Sequence, residues 1–297
     1  MPSTRQIRSR IRVAKNIQQI TKAMKMVAAA RLKRAQDRVQ AARPYSVKMR
    51  EVMGSLSQAG AGTVTHPLLE VREPARIGVI VISADRGLCG SYSTNLLKKA
   101  QETVKGYAPD QVRMLLVGRK GQVLFRRRGF PIAGEFDLNM TGPSFADAQA
   151  VARQARELYV SGEVDMIYLV YTRFLSALTQ RPQQLTLLPI SPDDIGGTTG
   201  KDIAGAEVSG GDEYLFEPSA DEILGRLLPR YVDTLIYQAM IEAVASEHGS
   251  RMTAMSSATD NAGKMISNLT LSLNRARQAS ITKEIAEIVG GADALKQ

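Results

Sequence analysis

Apolar residues recur at two different intervals along this chain, and the change of interval divides it into parts. From Ser219 to the C-terminus, Met255, Thr259, Ala262, Ile266, Leu269, Leu273 and Ala276 step by four and three, which keeps one narrow helix face toward a partner helix. Ser219 and Glu222 have the spacing of a capping box and predict the helix start, while Pro229 predicts a kink or a delayed beginning. After an irregular step, Ile281, Ile285 and Ile288 continue on a rotated face that suits a different neighbour. Roughly 75 helical residues would reach about 110 Å. From Thr4 to about Leu56 the stepping returns through Ile17, Ile20, Met24, Val27, Ala28, Leu32, Ala35, Val39 and Ala42, with Pro44 expected to kink or break the helix. Two such helices flanking a middle section pack most simply as an antiparallel pair. The first spans roughly 80 Å, so the second should outlast it by about 30 Å.

Between them the period shortens. Ile77–Ile82, Val112–Val117 and Met166–Tyr171 are continuous apolar runs of strand length, and Leu185–Leu188 is a candidate fourth. Helices are predicted over about 92–105, 122–128 and 145–160, the last opened by Ser144 and Asp147. Strands alternating with helices imply a mostly parallel sheet covered on both faces. The expected fold class is α/β, with a long antiparallel two-helix coiled coil and a Rossmann-like α/β domain inserted between its helices. The expected divisions are 1–60 for the first coil helix, 75–190 for the α/β domain, 191–218 for an acidic, Gly-rich loop and 219–297 for the second coil helix.

Charge sharpens this picture. The net charge is +10, yet residues 1–60 hold fourteen Lys and Arg against two acids, Asp37 and Glu51. Such a basic helix suits nucleic acid, anionic lipid, an acidic protein or simply solvent. Its seam pattern is not interrupted by a cleavage motif, which separates it from an Arg-rich transit peptide. Residues 189–222 carry nine acids against Lys201. No apolar run reaches the length of a membrane span. Cys89 is the one cysteine, and His66 and His248 stand far apart, so neither a disulfide nor a metal-ligand spacing is expected.

Three glycine motifs invite a chemical reading. Gly87–Gly90 lies at a helix mouth without the full dinucleotide fingerprint, and Gly196–Lys201 lacks a spacer and the Ser or Thr of a phosphate loop. Gly118–Gly121 reads GRKG, followed by Arg126, Arg127 and Arg128, as in the loops that clamp a nucleic-acid backbone. Here it follows a strand, which favours a basic surface turn. Asp85 beside Arg86 reads as a turn-stabilising pair, and Glu284 with Glu287 as ordinary helix spacing. No catalytic constellation or cofactor site emerges, and the residues by themselves describe a mechanical or interaction protein.

Four segments carry a closer resemblance. ITKEIAEIVGGA at 281–292, KNIQQITKAMKMVAAARLKRAQ at 15–36, ADRGLCG at 84–90 and SEHGSRMTAMSSATDNAG at 246–263 resemble blocks of the gamma subunits of F-type ATP synthases. The resemblance runs over essentially the whole chain. It implies a non-catalytic central-stalk rotor within a ring of three alpha and three beta subunits, coupling proton flow through a membrane c-ring to the cycling of the beta sites. It further implies that Arg277, Gln278 and Thr282, with Met24 opposite them on the first helix, meet a catch loop on beta. Glu284 joins the same beta surface. Lys22, Lys25, Arg31, Lys33 and Arg34 would face an acidic loop of beta, and Tyr214 and Glu217 would lie in the foot, near epsilon and the ring. Residues 195–211 form a longer acidic insert than many bacterial forms carry, and the cysteine pair of chloroplast forms is lacking. The implied location is the cytoplasmic face of a bacterial plasma membrane, without nucleic acid. The alternative reading is a nucleic-acid-binding protein using the basic N-terminal helix and the GRKG loop.

Overall fold

The structure is a computed structural model that describes residues 3–59, 66–138, 142–191 and 220–294. Its helices are α1 (Thr4–Ala59), α2 (Tyr92–Val104), α3 (Arg119–Arg127), α4 (Phe145–Val160) and α5 (Ala220–Ala294). Its strands are β1 (Ile77–Ile82), β2 (Val112–Val117), β3 (Ile132–Phe136), β4 (Met166–Phe174) and β5 (Gln180–Leu188). The chain forms two compact units, one of Met1–Val27 with Met252–Gln297 and one of Ala28–Arg251.

In the first unit two helical segments pair antiparallel. Ser3 and Gln6 open α1 with reciprocal 3.3 Å bonds between side chain and backbone, an arrangement that satisfies two amides of the first turn. The register is set by Lys25 Nζ donating to Ser256 Oγ at 3.0 Å, Thr259 Oγ1 donating to Thr21 Oγ1 at 2.8 Å, and the close approach of Gln18 to Gly263. On α5 the covered positions are Met255, Thr259, Ala262, Ile266, Leu269, Leu273 and Ala276, as the four-and-three stepping predicts. On α1 they are Ile7, Ile11, Ala14, Gln18, Thr21 and, as predicted, Met24. This corrects the expected seam: Ile17, Ile20 and Val27 are 47 %, 59 % and 54 % exposed and face outward. Small and hydroxylated residues, Ala14, Thr21, Thr259 and Ala262, share the seam with the larger Ile7, Ile11, Met255, Ile266, Leu269 and Leu273.

The second unit is built on a five-stranded sheet of order β3-β2-β1-β4-β5. β1 pairs in parallel with β2 and β4, β2 with β3 likewise, and β5 runs antiparallel to β4 at the edge. Every residue of β1 is buried, as a central parallel strand requires. One face meets α2 and α3 through Ile77, Val79, Val81, Leu96, Ala100, Met114 and Phe125. α4 opens with the predicted box, Asp147 N–H donating to Ser144 Oγ at 3.1 Å and Ser144 N–H to Asp147 Oδ2 at 2.8 Å.

Two strands were not legible at their true extent. β3 reads IAGEF and is half-exposed, so it carries no apolar run. β5 begins five residues before the candidate Leu185–Leu188, because QRPQQ lies on an edge where Pro182 forfeits no ladder bond that the sheet needs.

Neither proline ends its helix. α1 continues through Pro44, and Ser46, Met49, Met53 and Leu56 are buried beyond it. Tertiary burial outweighs the lost backbone bond, whose acceptor would be the carbonyl of exposed Gln40. α5 likewise runs through Pro229, and the Pro229 carbonyl accepts from Arg156 Nη1 at 3.0 Å. The helix start proposed at Ser219, the acidic Gly-rich segment and both foot residues, Tyr214 and Glu217, lie outside the described residues.

Candidate functional site

Two surfaces concentrate the residues singled out by sequence. The first is the uncovered end of α5. The antiparallel register brings Thr4 opposite about Arg277, and beyond that point no described residue of α1 lies alongside. Every described side chain from Arg277 to Val289 is exposed, including Ile281, Ile285, Ile288 and Val289. From Arg277 to Ala294 the helix extends about 27 Å, close to the expected overhang. Arg277, Gln278, Thr282 and Glu284 therefore share one unpaired helical segment. Its polar side chains are held locally, Thr282 Oγ1 donating to the Gln278 carbonyl at 3.0 Å and Ser280 Oγ to Glu284 Oε1 at 3.2 Å. Lys283 pairs with Glu287 at 3.5 Å, an exposed contact of small energetic weight.

Met24 is not opposite this segment. The bonds from Thr21 to Thr259 and from Lys25 to Ser256 set Met24 beside the 256–259 stretch, about 20 residues, or roughly 30 Å, before Arg277. The sequence resemblance could not supply the register. Among the cations of α1, Lys22 is exposed, Lys25 is bonded across the seam to Ser256, and Lys33 pairs with Asp37 at 2.8 Å. Arg31 and Arg34 line a cavity of the second unit.

The second surface is the junction of ADRGLCG with α5. Asp85 Oδ1 accepts the Arg119 N–H at 3.0 Å and so caps α3, a role different from the turn pair with Arg86. Leu88 and Gly90 take positive φ, 64° and 58°, which turns the loop back into α2. The loop is then fastened to α5: Ser250 Oγ donates to the Cys89 carbonyl at 2.8 Å and Arg251 Nη2 to the Gly87 carbonyl at 3.3 Å. Tyr92 Oη donates to the Ala243 carbonyl at 3.1 Å, and burial pushes its hydroxyl far above the usual phenol range. Arg251 also pairs with buried Glu247, and its Nη1 lies 3.2 Å from His248 Nδ1. Burial raises the Glu247 carboxyl, opposed by Arg251. Two of the four resemblance blocks are thus brought into contact as a structural clasp.

The pair Glu247 and Arg251 went unnoticed in sequence, although spacing of four between opposite charges was visible. The GRKG motif is no loop between helices. Gly118 caps α3 with φ 89°, and a Cβ there would lie 2.1 Å from the Ser83 carbonyl oxygen. Gly121 N–H donates to Ser83 Oγ at 2.8 Å. The glycines let α3 start hard against the end of β1, and the nucleic-acid alternative loses its clamp. Among the described residues no group of His, Cys, Asp and Glu is arranged to hold a metal ion, and no helix is long and apolar enough to cross a membrane.

This geometry can be set beside known proteins. The profile of the ATP synthase family matches residues 3–295. The chain is 49 % identical to the ATP synthase gamma chain of Desulfitobacterium hafniense, with all of both chains covered. It is 50 % identical to that of Heliobacterium modesticaldum, covering 99 % of this chain and 100 % of the relative. This chain belongs to the ATP synthase gamma family.

As a gamma chain it is a subunit of a membrane-associated ATP synthase complex. A solved central-stalk and c-ring assembly of Tetrahymena thermophila mitochondrial ATP synthase contains a chain 25 % identical to it, with TM-score 0.60 over 80 % of this chain and 99 % of that one. A chain in the OSCP, F1 and c-ring assembly of Euglena gracilis mitochondrial ATP synthase shares the fold, with TM-score 0.70, 20 % identity, and 98 % and 94 % coverage. The gamma fold is thus the paired terminal helices with an α/β insertion, and its role is that of the central stalk.

Proposed function

We propose that this gamma chain is the non-catalytic rotor of a bacterial F-type ATP synthase, coupling proton flow through a membrane c-ring to conformational cycling of the beta subunits. The observation that carries this reading is the unpaired end of α5, where Ile281, Ile285, Ile288 and Val289 stand exposed on a helix whose partner has ended. An apolar helix tip of this kind requires a surrounding partner. Three alpha and three beta subunits would supply it as a sleeve, and epsilon and the c-ring would engage Tyr214 and Glu217.

Arg277, Gln278, Thr282 and Glu284 form one contact zone toward beta, and Met24, Lys22 and Lys25 a second, lower on the coil. Arg31, Lys33 and Arg34 extend the basic surface. A rotor passing three equivalent partners is served by screened, exchangeable charge contacts, because each must break as readily as it forms. Work is delivered by differential contact: the rotor stabilises one state of each beta subunit over another as it turns. No cofactor is required of gamma for this. The complex would lie at the cytoplasmic face of the plasma membrane and be held there through the ring.

The test is to purify the native complex in mild detergent through a tag on this chain. Rotor function predicts one copy with three alpha and three beta subunits, and ATP hydrolysis that loses its coupling to proton pumping when Ile281–Gln297 is removed. Recovery as a homodimer or with RNA, free of ATPase subunits, would overturn it.

A further inference from the structure

Glu242 of α5 is 2 % exposed and lies against the end of β4. Its two hydrogen bonds are long and come from neutral donors: Oε1 accepts from Gln238 Nε2 at 3.3 Å and Oε2 from the Phe174 N–H at 3.4 Å. Among the described residues no cation forms an ion pair with it. Two groups of β4 face it. The Arg173 guanidinium acts on it from beyond ion-pair distance, and the Tyr171 hydroxyl is pushed far above the usual phenol range by burial and then by Glu242 itself. A carboxylate held here would give up its water for two weak donors, so the surroundings favour the neutral acid. Burial accordingly raises the carboxyl to about 7, against the pull of Gln238, Phe174 and Arg173.

Phe174 ends β4 and pairs with Gln180, which begins β5, so the bond to Glu242 holds the mouth of the turn between the two strands. Two further contacts bring the same strand and turn to α5. Ser246 Oγ donates to the Thr172 carbonyl at 3.1 Å, and a Cβ on Gly249 would stand 3.3 Å from the Ala177 carbonyl oxygen. The turn itself covers little. Leu175 and Leu178 are 51 % and 78 % exposed, and the backbone bonds within the turn run from Leu175 and Ser176 to Thr179 and back. Opening the turn therefore uncovers little apolar surface, brings water to Glu242 and leaves the sheet intact.

We propose that Glu242 is a proton-operated latch: protonated, it holds the end of β4 and the turn after it against α5, and ionised, it lets that turn open to water. The latch acts within the second unit and stands independently of the rotor reading. Closed, the carboxyl loses its proton near 7, and open, near 4.5. Opening thus releases a proton between these values. The open fraction should grow about tenfold per pH unit, roughly 300-fold in all, and level off above pH 7.

The test is hydrogen–deuterium exchange of the full chain from about pH 4.5 to 8.5. It reads the protection of the Phe174, Leu175 and Thr179 amides relative to an unstructured peptide of the same sequence. Protection should fall about tenfold per pH unit and then bend to a plateau near pH 7, with little dependence on urea. The amides of β1 should stay far more protected throughout. Glu242→Gln should flatten the profile. Arg173→Gln should carry the bend to higher pH, because the cation that favours ionisation is gone. Should Glu242→Gln not fold, the bend in the parent and its displacement in Arg173→Gln still decide. A flat profile in the parent would overturn the latch, since the carboxyl would then keep one protonation state whether the turn is closed or open. Turn amides that exchange no faster than those of β1 would overturn it too, because only global unfolding would then reach Glu242.

Discussion

One helix, α5, contains two opposite solutions to being a helix. From Tyr231 to Gly249 all but Tyr237 are buried, and Asp233, Thr234, Gln238, Glu242, Ser246, Glu247 and His248 among them each take part in at least one side-chain hydrogen bond. From Arg277 to Val289 nothing described is buried. A helix covered on all sides is a core element whose side chains are specified by packing and hydrogen bonding. A helix covered on none draws nothing from its own chain and is specified by whatever receives it. Residues in the first stretch should therefore govern folding, and residues in the second, coupling.

The largest effect should come from Arg251→Ala. It strips the cation from buried Glu247 and detaches the Gly87 loop, at a cost of about 3–5 kcal/mol read by urea denaturation. Ile236→Ala, at a fully buried position, should cost about 2–4 kcal/mol by the same measurement. Equal stability in either variant would mean that the wrapped stretch is not the folding core.

Glu242 sharpens the comparison through pH. Burial raises its carboxyl to about 7 from an unfolded value near 4.5, while Gln238, the Phe174 N–H and Arg173 act the other way. The native state keeps a proton that the unfolded chain releases, so stability is fully present below pH 4.5 and declines as pH rises through about 7. The decline should total roughly 3 kcal/mol. Glu242→Gln should be neutral at pH 4 and more stable than the parent at pH 8. A parallel pH profile in the two proteins would show that Glu242 stays ionised when folded.

At the small end, Ile285→Ala should change the stability of the chain by less than about 0.5 kcal/mol. In the assembled complex the same change should lower proton pumping per ATP hydrolysed. A stability loss as large as that of Ile236→Ala would mean that the tip packs against its own chain.

How far sequence carries can be judged from the two sides of the seam. On α5 the covered residues were legible because Ile266, Leu269 and Leu273 are apolar residues flanked mainly by polar ones. On α1 the stepping held at Met24 but was misassigned at Ile17, Ile20 and Val27, which are more apolar than Ala14, Gln18 and Thr21 yet lie outside. Hydrophobicity ranks residues by what water rejects, whereas a place in the seam is decided by which helix face the partner covers. The strands β1 and β2 were read to the residue, since a central parallel strand is apolar throughout, and β3 carried no such signal. Of the candidate site, the exposure of Arg277, Gln278, Thr282 and Glu284 was legible, but the displacement of Met24 from them was not. Register between distant segments is set by pairs such as Thr21 with Thr259, which no local pattern reveals.

That hydroxyl pair has a consequence for measurement within the molecule. Because covered positions recur every three and four residues on both helices, sliding by a heptad would again set covered position against covered position, and packing alone separates the two alignments weakly. What sliding would sacrifice is the chain of hydrogen bonds in which Thr259 donates to Thr21 and Thr21 donates to the Ile17 carbonyl at 3.0 Å. Such a slide would shift the free tip by about 10 Å. Two threonines thus act as the index mark on a ruler: they fix how far the end of the helix projects.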